Sequence, residues 1–154
     1  MLKIEGILRR FPYHVPALST GGGACTCAGE AQRSVDFCTK LLIVCADPLE
    51  AAVAKIVLGC SYIQLGRDQE AVRPLRESLE VQPRSVPAIR ILMSAYGHLG
   101  MRDEAAQLLA RYSELASDMK TVADVRRITP FADTPGTRRY FDGLRLAGLS
   151  EGEP

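Results

Sequence analysis

The sequence predicts an all-α protein, a superhelical array of antiparallel helix pairs closed by a C-terminal pair of capping helices. The first observation is internal repetition, because a block beginning at Leu58 matches itself again from Leu92, 34 residues later. The second is that apolar residues within the block recur three or four residues apart, as on one face of a helix. The third is that glycine or proline stands where each predicted helix should end.

Residues 1–28 are the first predicted region, an irregular or flexible lead-in. Pro12, Pro16 and the glycine run 21–23 interrupt any long element. The pattern supports one short helix, over residues 4–11. The glycine run is not followed by Gly-Lys-Ser or Gly-Lys-Thr, so it supports a phosphate-binding loop only weakly.

Residues 29–119 are predicted to hold the repeats. They divide into a degenerate unit at 29–51 and two full units at 52–85 and 86–119. The degenerate unit is expected to supply the second helix of a pair, and its apolar stripe consists of Val35, Cys38, Leu41, Leu42 and Cys45.

The two full units share the same plan of two helices. Gly66 and Gly100 are expected to end the first helices. Asp68 and Asp103 are placed to cap the second helices. Pro74 lies inside a second helix and predicts a bend there rather than a break. The positions that match in register are Leu58 and Leu92, Tyr62 and Tyr96, Leu65 and Leu99, Gly66 and Gly100, Glu70 and Glu104, Ala71 and Ala105, and Leu75 and Leu109.

Residues 120–154 are predicted to form the capping helices and a tail. Thr121 and Asp124 stand at the spacing of an N-terminal capping box, which predicts a helix start there. A last helix is predicted over 137–147, with Gly148 ending it.

The 34-residue unit resembles the tetratricopeptide repeat, whose pattern is W-x2-L-G-x2-Y, then A-x3-F, then P. The first full unit carries this pattern in Leu58, Gly59, Tyr62, Ala71, Leu75 and Pro83. Lys55 and Ile89 stand where the family has its leading Trp. In the second unit, Met93 and Ser117 replace the usual Gly and Pro. The resemblance implies a scaffold that binds a protein or peptide partner in a concave groove.

The same resemblance implies which residues face the groove. Positions 53, 56, 60 and 63 form an apolar stripe at helical spacing. An exposed stripe would mark a partner site, and the alternative is that the lead-in or an upstream helix covers it. Arg90 and His98 add polar groups that suit a peptide carboxylate or an acidic segment. The implied partner-binding residues are Val53, Ile56, Cys60, Ile63, Gln64, Arg90, Ser94 and His98.

The C-terminal stretch carries a second resemblance. Pro130-Phe131 and residues 143–151 are similar to the tail of a group of bacterial proteins, although Ser150 replaces the usual Pro. In that group, tetratricopeptide repeats follow a class III adenylate or guanylate cyclase domain or a winged-helix DNA-binding domain. This resemblance implies the alternative function, a detached C-terminal regulatory region of a cyclase or transcriptional regulator. The missing domain would then be encoded upstream.

Catalytic and metal-binding patterns are weak in this sequence. The pair Cys25 and Cys27 has no matching second pair, so a structural zinc site is not expected. His14 and His98 have no spacing that demands a Cys–His nucleophile. We therefore expect no enzyme activity, no catalytic residues and no cofactor. The five cysteines, in an odd number, fit a reduced and therefore cytoplasmic setting.

Composition and charge limit the partners further. The 154 residues are 47% hydrophobic and 24% charged, as in an ordinary globular protein. The net charge of +1 argues against direct binding to nucleic acid or an anionic membrane through the overall field. The expected partner is a protein or peptide bound at a local groove.

Overall fold

The computed structural model describes residues 1–152, and their regular elements are α-helices. Among these residues the only isolated β pairing is a parallel bridge between Thr121 and Ser150. The all-α prediction is confirmed. The helices in the described part of the chain are α1 (Leu2–Arg10), α2 (Val15–Ala28), α3 (Ala31–Val44), α4 (Pro48–Gln64), α5 (Asp68–Val81), α6 (Val86–Leu99), α7 (Arg102–Leu115), α8 (Val122–Ile128) and α9 (Pro135–Leu146).

Three helix pairs form the body of the molecule: α2 with α3, α4 with α5, and α6 with α7. Each pair packs on the next through α3 against α4 and α5 against α6. The first helices of successive pairs also contact each other, whereas the second helices in residues 1–152 make no comparable contact. The stack therefore curves toward α2, α4 and α6, and we call this side the first-helix face.

The turns within the pairs confirm the predicted glycine positions. Gly66 and Gly100 adopt φ values of 73° and 67°, the left-handed conformation that lets a chain leave a helix. The predicted caps are wrong by one residue or more, because α5 begins at Asp68 itself and α7 begins before Asp103. Helix α5 continues through Pro74, so the proline does not break it.

The prediction of an irregular lead-in over residues 1–28 is wrong, although the short helix expected over residues 4–11 is present as α1. Helices α1 and α2 occupy most of this region, and the glycine run lies inside α2. A Cβ on Gly22 would come 2.8 Å from the Cys38 sulfur, and one on Gly21 would come 3.3 Å from the Phe37 ring. The glycines allow α2 to approach α3 closely, and this packing outweighs a propensity cost of roughly 1 kcal/mol for each helical glycine.

The degenerate unit predicted at 29–51 is thus a complete pair, α2 with α3, and begins well before residue 29. Its turn glycine is Gly29, with φ of 77°. Helix α4 has 17 residues where α2 and α6 have 14, which lengthens the interval between the first two turns and hides the repeat from a fixed 34-residue shift. Buried hydroxyls of Thr26, Ser34 and Ser61, linked by hydrogen bonds of 2.7–2.9 Å, connect α2, α3 and α4.

The predicted C-terminal helix pair is present as α8 and α9. Thr121 and Asp124 form the expected capping box at the start of α8. Thr134 caps α9, and Gly148 follows it with φ of 96°. Helix α9 packs against α6 and α4, so it lies along the first-helix face.

Candidate partner-binding face

The first-helix face holds the chain's own C-terminal helix. Tyr140, Phe141 and Leu144 of α9 are buried in the main hydrophobic core together with residues of α4 and α6. The segment leading into α9 continues across α2, where the Ala132 amide donates a 2.7 Å hydrogen bond to the Cys27 carbonyl. The groove implied by the repeat resemblance is therefore filled in this structure.

Glycines make the close contact between α9 and the face possible. A Cβ on Gly97 of α6 would collide with the carbonyl oxygen of Gly143 in α9, and a Cβ on Gly143 would collide with Ser94. At the start of α9, a Cβ on Gly136 would come 2.8 Å from the Gln64 carbonyl oxygen. The helix backbones thus meet where side chains are missing on both sides.

Polar contacts fix the register of α9 on the face. The Ser94 hydroxyl donates a 2.8 Å hydrogen bond to the Tyr140 carbonyl oxygen. The His98 ring nitrogen Nε2 donates to the Arg139 carbonyl oxygen at 2.8 Å, which places the imidazole proton on Nε2. Arg139 also forms an ion pair with the buried Asp68.

The predicted site residues are mostly not exposed. Val53 alone of the expected apolar stripe is open to solvent, at 45% exposure. Ile56, Cys60 and Ile63 are buried in the main core, so the stripe is covered, which is the alternative that the sequence left open. Two helices pack on this side of α4: α2, which is the upstream helix that the sequence suggested, and α9. The remaining predicted residues are Gln64, Arg90 and Ser94, which are buried, and His98, which is half-buried.

Arg90 is the unusual group under α9. It is 9% exposed, and within residues 1–152 no carboxylate forms an ion pair with it. Its Nε is buried without a hydrogen-bond partner, and its polar neighbours are the hydroxyls of Tyr112 and Tyr140, which raise the pKa of the guanidinium against the effect of burial. Burial raises the pKa of both tyrosines, so they stay neutral and do not balance the guanidinium charge. A buried arginine normally has an anionic partner, since desolvating an unpaired cation costs several kcal/mol.

The thiols are poor candidates for nucleophilic chemistry. Burial raises the pKa of Cys60 to about 12 and that of Cys38 to about 11. Burial also raises the pKa of Cys25 and Cys27. Because the thiolate is the reactive form, these shifts disfavour a reactive cysteine at neutral pH.

Metal-binding clusters and membrane-spanning helices are both absent from the described residues. In the described part of the chain, no three His, Cys, Asp or Glu side chains group together in a way that could hold a metal ion. Among the described helices, none combines the length and apolar character that crossing a membrane requires.

Comparison with known proteins supports the fold. The crystal structure of MamA, a tetratricopeptide-like helical protein, superposes with a TM-score of 0.68, covering 94% of this chain and 82% of that chain at 16% identity. The fold is a tetratricopeptide-like α-α superhelix. No protein-family model matches the sequence, and no curated protein matches it significantly. The resemblance of the C-terminal stretch to cyclase-associated and regulator tails gains no support from these comparisons.

The sequence pointed to Ser94 and His98, which hydrogen-bond to α9, but not to the other residues that hold this helix on the face. Gly97 and Gly143 carry the close approach, and Arg139 forms the ion pair that joins α9 to α5. The available signal was glycine in the interior of two predicted helices, since such glycines commonly mark a close packing contact. The sequence alone could not show that the two glycines meet, because they lie far apart in the chain.

Proposed function

We propose that this chain is a non-catalytic protein-interaction module that binds a helical segment of a partner protein on its first-helix face. The observation that carries the proposal is α9 itself, a helix held on that face by close backbone contact and hydrogen bonds. A partner helix would take the place of α9. Its binding residues would include those implied by the repeat resemblance, from Gln64 on α4 to His98 on α6.

Part of the contact with α9 does not depend on its side chains. Ser94 and His98 donate to main-chain carbonyl oxygens rather than to side chains. Gly97 leaves room for a backbone to approach. These features recognise the shape and carbonyl groups of a helix and require a small residue at the crossing point, where α9 has Gly143. The buried side chains of α9 add a requirement for apolar residues on the same side of the bound helix.

Arg90 would give the face a preference for a helix that carries a carboxylate. Helix α9 places the neutral Tyr140 near this guanidinium and supplies no carboxylate to it. A partner helix with Glu or Asp at the position of Tyr140 would pair the buried cation through a charge-assisted hydrogen bond, the stronger class of such bonds. The favoured partner is therefore an acidic helix with a small residue one turn away.

The test uses labelled peptides with the sequence of residues 132–149, either native or with Tyr140→Glu. The full chain carries Gly143→Ala, which weakens the docking of α9 without altering the face. We expect this variant to bind the Tyr140→Glu peptide about tenfold more tightly than the native peptide, as one charge-assisted hydrogen bond allows. Fluorescence anisotropy titration measures both affinities.

Two controls make the result specific. Gly6→Ala in α1, where a Cβ meets nothing within 4 Å, should leave peptide binding at the level of the unmodified chain. Arg90→Met combined with Gly143→Ala should remove the preference for the acidic peptide. The proposal fails if neither peptide binds the Gly143→Ala chain, and the role of Arg90 fails if the preference survives Arg90→Met.

A further inference from the structure

Helix α1 presents a second surface, at the opposite end of the stack from α7. One side of α1 is docked: Ile4 and Leu8 are half-buried toward α2 and α3, and Glu5 forms an ion pair with Arg33 of α3. No residue of α1, over Leu2–Arg10, is fully buried. Half of this amphipathic helix therefore has no partner within the described chain.

The free side of α1 borders an open groove of about 580 Å³. Its apolar floor is formed by Ile7, at 40% exposure, and Phe11, at 55%. Gly6 lies between the flanking side chains, and a Cβ there would meet nothing within 4 Å. The groove can therefore accept a large apolar side chain from outside.

The rim of this groove is cationic. Lys3, Arg10 and His14 line it, and the described residues contain no carboxylate that pairs with Lys3 or Arg10. The His14 nitrogen Nδ1 accepts a 3.2 Å hydrogen bond from the Ala17 amide, which leaves Nε2 as the protonated nitrogen and a free donor. The nearest acid on α1, Glu5, is already paired with Arg33. Every charged or polar group on the rim thus donates hydrogen bonds.

We propose that this groove, which we call the α1 groove, binds an acidic amphipathic helix of a partner protein. Lys3 and Arg10 are seven residues apart, about 10 Å along the helix axis, which is two turns of a facing helix. A partner with carboxylates at i and i+7 and large apolar residues between them would match both the cations and the apolar floor. The surface is separate from the first-helix face, so this inference stands or falls independently of the proposed function.

A protein helix fits the α1 groove better than a lipid surface does. Membrane-surface helices insert a broad apolar face, and the apolar residues Ile4 and Leu8 of α1 are turned toward α2 and α3 instead. A helix laid beside α1 would extend the stack in the same way as each helix pair covers the previous one. The exposed side of α1 instead carries a groove bordered by cations, and the shape and charge of this groove complement a single helix.

The test uses the full chain and two labelled 20-residue helical peptides. Both carry two Leu on one face, and the flanking i and i+7 positions are Glu in one and Lys in the other. We expect the Glu peptide to bind about tenfold more tightly than the Lys peptide, with an affinity that falls as salt is raised. Fluorescence anisotropy gives the dissociation constants, which should lie below 1 mM for the Glu peptide, on the order of weak surface recognition.

Matched variants locate the binding. Arg10→Glu should remove the preference for the Glu peptide, whereas Arg9→Glu, an equal charge change one residue away and outside the groove, should preserve it. Phe11→Ser should weaken binding of the Glu peptide, and Ile43→Ser, at an exposed apolar residue of α3, should not. Circular dichroism should show all four variants folded, because the substituted side chains are exposed.

Several outcomes overturn the inference. Equal effects of Arg9→Glu and Arg10→Glu would show a general charge effect rather than a groove. Binding to vesicles with phosphatidylserine, without binding of the Glu peptide, would assign the surface to membranes. A dimer in sedimentation that Phe11→Ser dissociates would assign it to a second copy of this chain. Absence of measurable binding by the Glu peptide also overturns it.

Discussion

The first and last described helices, α1 and α9, are similar in sequence character but differ in burial. Both have apolar residues on one side and arginines on the other, yet α9 buries Tyr140, Phe141 and Leu144 while α1 has no fully buried residue. The difference lies in the surfaces that receive them. Helix α9 meets a face with a glycine at the crossing point and two hydrogen-bond donors, and α1 meets only the end of the first pair. Burial of a terminal helix is thus decided by its neighbour.

Truncating one apolar residue in each helix should reveal the largest difference between α9 and α1. Leu144→Ala removes a fully buried side chain from α9, and we expect a loss of about 2–5 kcal/mol in the free energy of unfolding. Ile7→Ala in α1 should cost less than about 0.5 kcal/mol, because that side chain is already exposed to solvent. Urea denaturation followed by circular dichroism measures both, and similar losses would contradict the contrast.

A pair of glycine substitutions makes the same comparison on the backbone. Gly143→Ala forces a Cβ into Ser94, and we expect destabilisation of about 1–3 kcal/mol from overpacking. Gly6→Ala adds a Cβ in open space and should stabilise α1 by up to about 1 kcal/mol through helix propensity. Thermal unfolding should therefore shift in opposite directions. If both variants shift the same way, α9 is not packed as closely as described.

Raising the pH should destabilise the fold through its two most deeply buried thiols. Burial lifts the pKa of Cys60 to about 12 and of Cys38 to about 11, from an ordinary 9.0. The unfolded thiols ionise first, so their contribution to stability is complete below pH 9 and is lost as the pH rises toward the folded pKa values. We therefore expect Tm to fall between pH 9 and 11.

The cysteine origin of that loss can be checked by substitution. Cys60→Ala should make the fall in Tm above pH 9 smaller, because it removes one of the two strongly shifted thiols. Cys45→Ser, at a half-exposed position, serves as the control and should leave the slope unchanged. An identical slope in all three proteins would assign the alkaline loss to other groups.

Sequence periodicity and turn chemistry were sufficient for the regular part of the chain. Matched residues 34 apart predicted two helix pairs, and Gly66 and Gly100 stand at their turns in the left-handed conformation. The capping box of Thr121 and Asp124 could also be predicted from the sequence, because all its atoms lie within four residues. These features are local, so their physical cause is contained in a short stretch of sequence.

The lead-in and the site depended on contacts between distant residues. The glycines of α2 suggested a loop, yet in the fold they allow α2 to pack against Phe37 and Cys38 of α3. The repeat pattern implied a groove on the first-helix face, and only the tertiary structure placed α9 in it. The helix-propensity cost of about 1 kcal/mol for each glycine in α2 is outweighed by the combined free energy of many packing contacts. Local sequence specifies the helix pairs and their turns, whereas packing between distant residues sets which helix faces are covered and which are exposed.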